Sequence, residues 1–312
     1  MSFNIKVEHT QAASAILLTG PGCEVEIYAF GALLNSFTVD TAQGKKNIVD
    51  GFSSVEDAMT TMTPAFKSAL LSPFTCRMNK GDYAFEGDDY HVNKFYLPPH
   101  AIHGLIYDAM HEIIDEFADD DHARVTLAYK YNKQDAGYPF SYLLTHTWRL
   151  EKGNKLSVTS TVTHDNKQAI PYAQGWHPYF TLGGNVDTYS LQFDSNTMLE
   201  FDETLIPTGK KLPYDLFEQA NTLNNVFLDN CFELKNTQGA KCVLKNETLQ
   251  LSIIPDKSYP YLQIYTPPHR SSIAIENLSG APDCFNNGMG LLKIEPDKEV
   301  SFTTTYIVSV LN

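Results

Sequence analysis

The sequence predicts an all-β protein made of antiparallel strands, arranged as a sandwich or a barrel. Three observations favour this class: short segments alternate between apolar and polar residues, β-branched and aromatic residues dominate those segments, and turn signals separate them. Segments that could form helical crossovers are almost absent, which argues against a parallel sheet. The 312 residues contain no repeat, low-complexity tract or Pro/Gly/Ser-rich linker, so we expect one domain over residues 1–312.

The predicted strands have similar patterns along the chain. EVEIYAF at residues 24–30 is the first, and KLSVTSTVTH at 155–164 is the clearest, because every second residue from Leu156 to Val162 falls on one face. YLQIYTP at 261–267, SIAIENL at 272–278 and VSFTTTYIVSV at 300–310 complete this set. The motifs TGPG, EKGN, LGGN and PTGK predict turns between strands.

Two segments predict short helices. In residues 53–74, Ser53 is followed three residues later by Glu56, which is the pattern of a capping box, and Pro64 is expected to divide the helix. A second helix is predicted within AMHEIIDEFA, residues 109–118. The acidic residues from Asp115 to Asp121 lack the glycine and ligand spacing of a calcium loop, so we interpret them as a solvated turn.

The composition limits the kinds of partner. A net charge of −14, from 23 basic and 37 acidic residues, repels phosphate backbones and anionic lipid, so we expect no nucleic acid and no membrane partner. No apolar run is long enough to predict a membrane span, and the first residues lack the pattern of a secretory signal. The five widely spaced cysteines argue against a disulfide framework. We therefore expect a reduced, cytoplasmic protein, either a monomer or a homodimer.

Several catalytic motifs are absent from the sequence. It contains no P-loop, no dinucleotide-binding glycine pattern, no nucleophile elbow and no HExxH motif. These absences remove the usual support for a nucleotide-dependent enzyme, a serine hydrolase or a zinc protease. The spacing of His100 and His103 could suggest a metal, but the two rings would not converge on a strand or loop and no third ligand follows. We expect no metal there.

His177 lies in GWHPYF, residues 175–180, an apolar and stiff setting for a side chain that titrates near neutral pH. Pro178 pushes His177 toward extended backbone. Trp176, Tyr179 and Phe180 offer flat surfaces of the kind that stack on sugar rings. The alternative interpretation is a core histidine with satisfied hydrogen bonds in an aromatic cluster.

Four other residues are candidates for a site. His103 is expected either at a strand end facing a cleft or in an ordinary turn. Glu276 falls at the end of a buried-looking strand, where partial burial would raise its pKa toward that of a general base. Arg77 lies among apolar residues. A guanidinium in such a place usually donates to a specific acceptor, either a structural carboxylate or a ligand hydroxyl. Asp229 lies in an apolar stretch, although an Asp-Asn pair more often makes a turn.

Six stretches in order resemble the aldose 1-epimerase (galactose mutarotase-like) family. They are CRMNKGDYAFEGDDYHV from residue 76, AIHGL from 101, GWHPYFTLGG from 175, LIPTGKK from 205, LDNCF from 228 and IENLSGAPDCFN from 275. The resemblance runs from about residue 15 to the end of the chain. It implies a large antiparallel β-supersandwich with an open cleft that binds a pyranose.

The resemblance also implies roles for the candidate residues. His177 would be the general acid that protonates the ring oxygen, and Glu276 would be the general base that takes the proton of the anomeric hydroxyl. Arg77, His103 and Asp229 would hold the sugar hydroxyls and the ring oxygen. The ring would open, the C1–C2 bond would rotate, and closure would give the other anomer without a metal or an organic cofactor. In this view Trp176 and Pro178 aim His177 at the ring oxygen.

The chain departs from the family's pattern at positions expected to shape the pocket. Cys76 replaces an Asn, Leu105 replaces a Gly, and Trp176 replaces the Asn of galactose-active members. Besides a hexose mutarotase, three alternatives remain open. A hexose-6-phosphate 1-epimerase would need basic residues, of which Arg270 is the one to inspect. A catalytically silent sugar-binding protein could share the fold, and a glycoside hydrolase would need two carboxylates, for which Glu276 and Asp229 are the candidates.

Overall fold

The computed structural model describes residues 2–94, 96–236 and 238–311 and is built from antiparallel sheets, so the all-β class is confirmed. The strands, numbered in chain order, are β1 (Asn4–His9), β2 (Ser14–Gly20), β3 (Cys23–Tyr28), β4 (Leu34–Thr41), β5 (Gly44–Asn47), β6 (Ala69–Leu71), β7 (Arg77–Met78), β8 (Asp82–Phe85), β9 (Asp88–His91), β10 (Tyr96–Leu97), β11 (His100–Ile102), β12 (Glu112–Ala118), β13 (His122–Tyr131), β14 (Tyr142–Glu151), β15 (Lys155–Thr163), β16 (Ile170–Tyr172), β17 (Gly175–His177), β18 (Tyr179–Phe180), β19 (Ser190–Phe193), β20 (Thr197–Phe201), β21 (Pro207–Pro213), β22 (Asn221–Thr222), β23 (Asp229–Glu233), β24 (Cys242–Lys245), β25 (Leu249–Pro255), β26 (Tyr261–Tyr265), β27 (Ile273–Leu278), β28 (Leu292–Ile294) and β29 (Val300–Val310). The helices are α1 (Val55–Ala65) and α2 (Cys284–Asn287), and 3₁₀ turns lie at Asn79–Gly81 and Val186–Thr188.

Three large sheets carry most of the strands. The first has five strands in the order β1-β2-β3-β4-β5, and the second has nine in the order β12-β13-β14-β15-β29-β25-β24-β19-β22. The third has eight, in the order β21-β20-β23-β26-β27-β17-β6 with β18 beside β27. One apolar cluster includes Val25, Trp148 and Ile264, one from each sheet, so the three sheets share a core.

The predicted strands match this arrangement closely. Along β15, buried residues from Leu156 to Val162 alternate with partly exposed ones, and β29 has the predicted bounds. β27 differs, because all of its residues are buried. It lies between β26 and β17, inside the eight-stranded sheet. Glu276 is therefore in the interior of this strand and not at its end as predicted.

The first helix begins one residue later than predicted. Ser54 is the N-cap, and its side chain accepts from the backbone N–H of Asp57 (3.1 Å). The carboxylate of Asp57 accepts in turn from the N–H of Ser53 (2.9 Å), so the return bond of this capping-box-like arrangement goes to the residue before the N-cap. Thr63, which precedes Pro64, leaves the helical conformation, so the predicted interruption at the proline is confirmed.

The second predicted helix is wrong. Residues 112–118 form β12, which pairs antiparallel with β13 at the edge of the nine-stranded sheet. In the following turn, the carboxylate of Asp119 accepts from the backbone N–H groups of Asp121 and His122, which folds the chain back so that β12 can pair with the edge of β13. The acidic residues thus form a turn from Asp119 to Asp121, as predicted, whereas Asp115 belongs to the strand.

The turn predicted at PTGK is also wrong, because these residues lie in β21. The chain reverses earlier, between β20 and β21, where Asp202 Oδ1 accepts from the backbone N–H groups of Thr204 and Ile206. Leu205, inside this turn, has a positive φ of 63°. The displaced turn matters because it brings Leu205 and Phe201 to the cleft described below.

His111 illustrates how burial of a histidine affects stability. It is 3% exposed, its ring lies 5.4 Å from that of His146, and burial lowers its pKa to about 4. In the unfolded chain the pKa is about 6.5, so the unfolded state binds the extra proton between these two values. We expect this group alone to reduce the free energy of unfolding by about 1.4 kcal/mol per pH unit as the pH falls from about 6.5 toward 4.

Urea unfolding at about pH 7, 6 and 5 checks this prediction. His111→Gln is expected to lose less stability in acid than the wild type, because glutamine has no proton to bind. His9→Gln, at an exposed position of β1, is the matched control and keeps the wild-type dependence. If the free energy of unfolding changed with pH equally in the wild type and in His111→Gln, the expected effect of His111 would be contradicted.

Candidate active site

A cleft opens over the eight-stranded sheet, with a volume of about 790 Å³ that includes solvent at its mouth. Apolar and aromatic side chains line it together with a group of polar ones, which is typical of small-molecule sites. The sequence-predicted residues Arg77, His103, His177, Asp229 and Glu276 all line this cleft. The fold therefore brings together residues that are up to 199 positions apart, from Arg77 to Glu276.

Neighbouring strands of the eight-stranded sheet hold most of the polar side chains. Gln263 on β26 pairs directly with Glu276 on β27, so their side chains share a face. Gly175 on β17 pairs with Leu278, which places His177 and Glu276 two residues further along the two antiparallel strands and on one face. Asp229 begins β23, on the other side of β26.

His177 and Glu276 form a buried pair. Nε2 of His177 lies 3.4 Å from Oε1 of Glu276, and their side chains are 7% and 2% exposed. The ring of Tyr179 stacks on His177 at 5.1 Å, and the ring of His103 meets it edge-on at 4.9 Å. These two rings and the strand hold the imidazole with Nε2 toward the carboxylate.

His103 and Arg77 come from two segments that are hydrogen-bonded to each other. Ile102 at the end of β11 pairs with Arg77 on β7, and the N–H of His103 donates to the backbone O of Cys76 (2.8 Å). His103 has a positive φ of 62° and leaves the strand toward the cleft, where the ring of Phe66 lies 4.6 Å from it. The prediction of a strand-end histidine facing a cleft is thus consistent with its position, whereas His100 faces away and accepts from the N–H of Lys80.

Asp229 is held by a residue that the sequence analysis missed. Nε2 of Gln263 donates to Oδ1 of Asp229 (2.9 Å), and Gln263 is 5% exposed in the wall of the cleft. Its position opposite Glu276 in the strand register is the signal that could have found it, but register is not visible before the pairing is known. Tyr265 and Phe66 also line the cleft and were likewise not predicted.

Two of the three aromatic residues around His177 do not line the cleft. Trp176 points to the other face of β17 and packs edge-on against His146 and Trp148 in the core. Phe180 packs against Tyr306. Alternation along a strand explains both positions, because neighbouring residues face opposite sides. The expectation that Trp176 aims His177 is therefore wrong, and Tyr179 is the aromatic residue beside it.

The departures from the family's pattern also fall on different faces. Leu105 is 4% exposed and belongs to the core cluster, as Trp176 does, so neither belongs to the lining of the cleft. Cys76 does line the cleft, and its Sγ lies 4.0 Å from Oε2 of Glu276. Of the three substitutions, the one at Cys76 can directly affect a ligand.

Burial dominates the protonation of the polar residues. It lowers the pKa of His177 to about 4 and raises the pKa of Glu276 well above its ordinary value. The charge of Asp229 raises the pKa of Glu276 further, and the guanidinium of Arg77 opposes this. Burial and the charges of His177 and Arg77 hold the pKa of His103 well below its usual range. The imidazolium of His177 is thus a stronger acid, and the carboxylate of Glu276 a stronger base, than either is in water.

Positive charge is scarce in the cleft. Arg77 is the only lysine or arginine among the described residues that line it. Arg270 lies elsewhere, where it donates to the backbone O of Val226 (2.7 Å) and of Leu223 (2.7 Å) and pairs with Asp187. This arginine holds loops together and is not free to bind a phosphate in the cleft.

The architecture is that of the galactose mutarotase-like proteins. A galactose mutarotase-like protein from Clostridium acetobutylicum superposes with a TM-score of 0.88 at 16% identity, covering 99% of both chains. A galactose 1-epimerase from Lactobacillus acidophilus superposes with a TM-score of 0.84 at 18% identity, again over 99% of both chains. The predicted large antiparallel β-supersandwich is confirmed.

The chain belongs to the aldose 1-epimerase family, whose sequence profile matches residues 14–306. Relatives include an uncharacterized Escherichia coli protein, YihR, which is 28% identical over 76% of this chain and 77% of its own length. Human galactose mutarotase is 27% identical over 61% of this chain and 54% of its own length. The resemblance inferred from the motifs is confirmed.

In the described part of the chain, neither helix has the length and apolar character needed to cross a membrane.

Proposed function

We propose that this protein is an aldose 1-epimerase that interconverts the α and β anomers of a neutral hexopyranose. The observation that carries the proposal is the buried pair in the cleft, in which Nε2 of His177 lies 3.4 Å from Oε1 of Glu276. Anomer exchange needs one proton delivered to the ring oxygen and one removed from the anomeric hydroxyl. A buried imidazole beside a buried carboxylate supplies both groups within the reach of one sugar ring.

The mechanism follows from the protons that the pair can hold. Protonated His177 gives its proton to the ring oxygen while ionised Glu276 takes the proton of the anomeric hydroxyl, and the bond between C1 and the ring oxygen breaks. The product is the open-chain aldehyde with neutral His177 and protonated Glu276. Rotation about C1–C2 exposes the other face of the aldehyde, and the reverse transfers close the ring as the other anomer. Burial disfavours the charged pair, so neutral His177 with protonated Glu276 is the favoured state, and ring opening starts from the less populated state in which the proton lies on His177.

The remaining polar residues are proposed to hold the sugar. Arg77 and His103 lie on linked segments beside His177, where Arg77 can donate to hydroxyl groups and to the ring oxygen, and His103 can donate to or accept from hydroxyl groups. Asp229 is an acceptor whose orientation is fixed by the amide of Gln263. Tyr179 and Tyr265 add flat surfaces in the same lining, as sugar sites require.

A neutral sugar is favoured over a hexose 6-phosphate. The cleft contains two carboxylates, Glu276 and Asp229, against the single guanidinium of Arg77 in its described lining. A dianionic phosphate group would meet net repulsion there unless further cations reached it. Retention of His177 and Glu276 in contact disfavours a catalytically silent binding protein. A glycoside hydrolase is disfavoured because Glu276 is paired with a histidine and Oδ1 of Asp229 already accepts from Gln263.

Saturation-transfer NMR of anomer exchange in glucose, galactose and their 6-phosphates tests the proposal. We expect the protein to accelerate exchange of at least one neutral sugar and to have less effect on the 6-phosphates. Acceleration restricted to a 6-phosphate would keep the mechanism and replace the substrate. Sugar binding without acceleration of any anomer exchange would contradict the proposed activity and support a binding protein.

A further inference from the structure

The carboxylate of Glu276 has unusually poor hydrogen-bond donors. Two of its polar contacts are long ones: Nε2 of His177 lies 3.4 Å from Oε1, and Sγ of the Cys76 thiol lies 4.0 Å from Oε2. Cys76 is 5% exposed and Glu276 is 2% exposed, so both side chains are largely screened from bulk water. A buried carboxylate without strong donors keeps a high affinity for protons.

The thiol of Cys76 remains protonated in this position. Burial, together with the charge of Glu276, raises the pKa of Cys76 well above its ordinary value. Its S–H group therefore faces Oε2 as a donor, but a thiol is a weak donor and 4.0 Å is a long contact. An amide or hydroxyl at this place would donate a shorter, charge-assisted hydrogen bond to the carboxylate.

We propose that Cys76 is a positioning residue for the general base, which fills the space beside Oε2 of Glu276 with a weak donor and so preserves the basicity of that carboxylate. This inference rests on the proposed function, since basicity matters only if Glu276 removes a proton. It predicts that a stronger donor at position 76 makes Glu276 a weaker base without removing it from the cleft.

Other titratable groups also lie near Glu276, and they are the same residues in every variant at position 76. They are His177 from β17, Tyr179 from β18, Asp229 and Cys231 from β23 and Arg77 from β7, while His103 after β11 lies against the ring of His177. Asp229 raises the affinity of Glu276 for protons and Arg77 lowers it. Substitutions at position 76 therefore replace the donor beside Oε2 of Glu276 and keep the charged residues around it.

The test compares Cys76→Asn, Cys76→Ser and Cys76→Ala. Cys76 has a positive φ of 47°, a conformation that asparagine adopts readily, so the asparagine variant suits the backbone. Protonation of Glu276 is followed by the infrared C=O stretching band of its neutral carboxyl, identified by the absence of this band from Glu276→Gln. The pH dependence of kcat/KM for anomer exchange is measured in parallel.

We expect Cys76→Asn and Cys76→Ser to shift the titration of the carboxyl band to lower pH by about one unit, because a charge-assisted hydrogen bond stabilises the anion. In the pH profile of kcat/KM, the fall in activity at high pH is also expected to shift to lower pH. Cys76→Ala, which has no donor, should leave the titration unchanged or move it upward. Cys23→Ser, at another cysteine that is 5% exposed, is the matched control and should not move it.

Identical titrations for the wild type and all three variants would overturn the inference. So would a downward shift in Cys76→Ala as large as that in Cys76→Asn, because hydration or packing would then be the cause. The two proposals can fail separately. A wild-type protein that exchanges no anomers would refute the proposed function, while the infrared titration would still show whether the residue at position 76 controls the proton affinity of Glu276.

Discussion

Glu276→Gln and His177→Asn are each expected to reduce kcat/KM for anomer exchange by about 10²–10⁴-fold, the usual contribution of one positioned proton transfer. Both replacements keep the approximate shape of the side chain and remove the group that titrates. The double variant should lose far less than the product of the two single effects, because the two groups act as one unit. Saturation-transfer NMR at several protein concentrations measures these losses.

The same glutamate variant is expected to be more stable than the wild type. Burial raises the folded-state pKa of Glu276 above its unfolded value of about 4.3, so its contribution to stability is present in acid and is lost as the pH rises through the folded pKa. Glutamine does not titrate, so the variant does not lose this stability as the pH rises. The difference in the free energy of unfolding, measured in urea, should therefore grow in favour of Glu276→Gln above about pH 4.3.

These two results together separate a functional role from a structural one. Replacing a residue that serves only packing lowers stability and activity together, whereas replacing a catalytic carboxylate held in an unfavourable site lowers activity and raises stability. Glu295→Gln, outside the cleft lining and outside any strand, is the control and should change neither quantity appreciably. A Glu276→Gln variant that retains wild-type kcat/KM would remove the proposed base.

The features predicted correctly from the sequence are those that local pattern determines. Alternation in β15 depends on the residues of that strand alone, and its buried face is the predicted one. The cleft residues His177 and Glu276 were found because each lies in a short motif with its own composition. The helix interruption at Pro64 also has a local cause, since the residue before proline disfavours helical backbone.

The predictions that failed depend on partners distant in sequence. Residues 112–118 contain charged residues typical of a helix, but they form β12 because β13 offers an unpaired edge. Trp176 precedes His177 and was assigned to the same site, yet the strand sends the two side chains to opposite faces. Gln263 was missed because its relation to Glu276 exists only in the register of β26 and β27.

Gly104→Ala is expected to cost about 2–5 kcal/mol of stability, from backbone strain together with overpacking. Gly104 has a positive φ of 75°, and an added Cβ would lie 2.3 Å from the backbone O and 2.5 Å from the backbone N of Ser72. Ser72 cannot retreat easily, because its O accepts from the N–H of Leu105 (2.7 Å) and its hydroxyl contacts Tyr172 (3.1 Å). The substitution should therefore shift the segment that carries His103.

The matched control is Gly183→Ala. Gly183 has a positive φ of 88°, but nothing lies within 4 Å of its added Cβ, so this variant contains the strain without the clash. Urea unfolding is expected to show a loss of about 1 kcal/mol for the control and a clearly larger loss for Gly104→Ala. Only Gly104→Ala should also lower kcat/KM, because Gly104 directly follows His103, whose own N–H donates to the backbone O of Cys76. Equal losses in the two variants would mean that the contact between Gly104 and Ser72 does not position this side of the cleft.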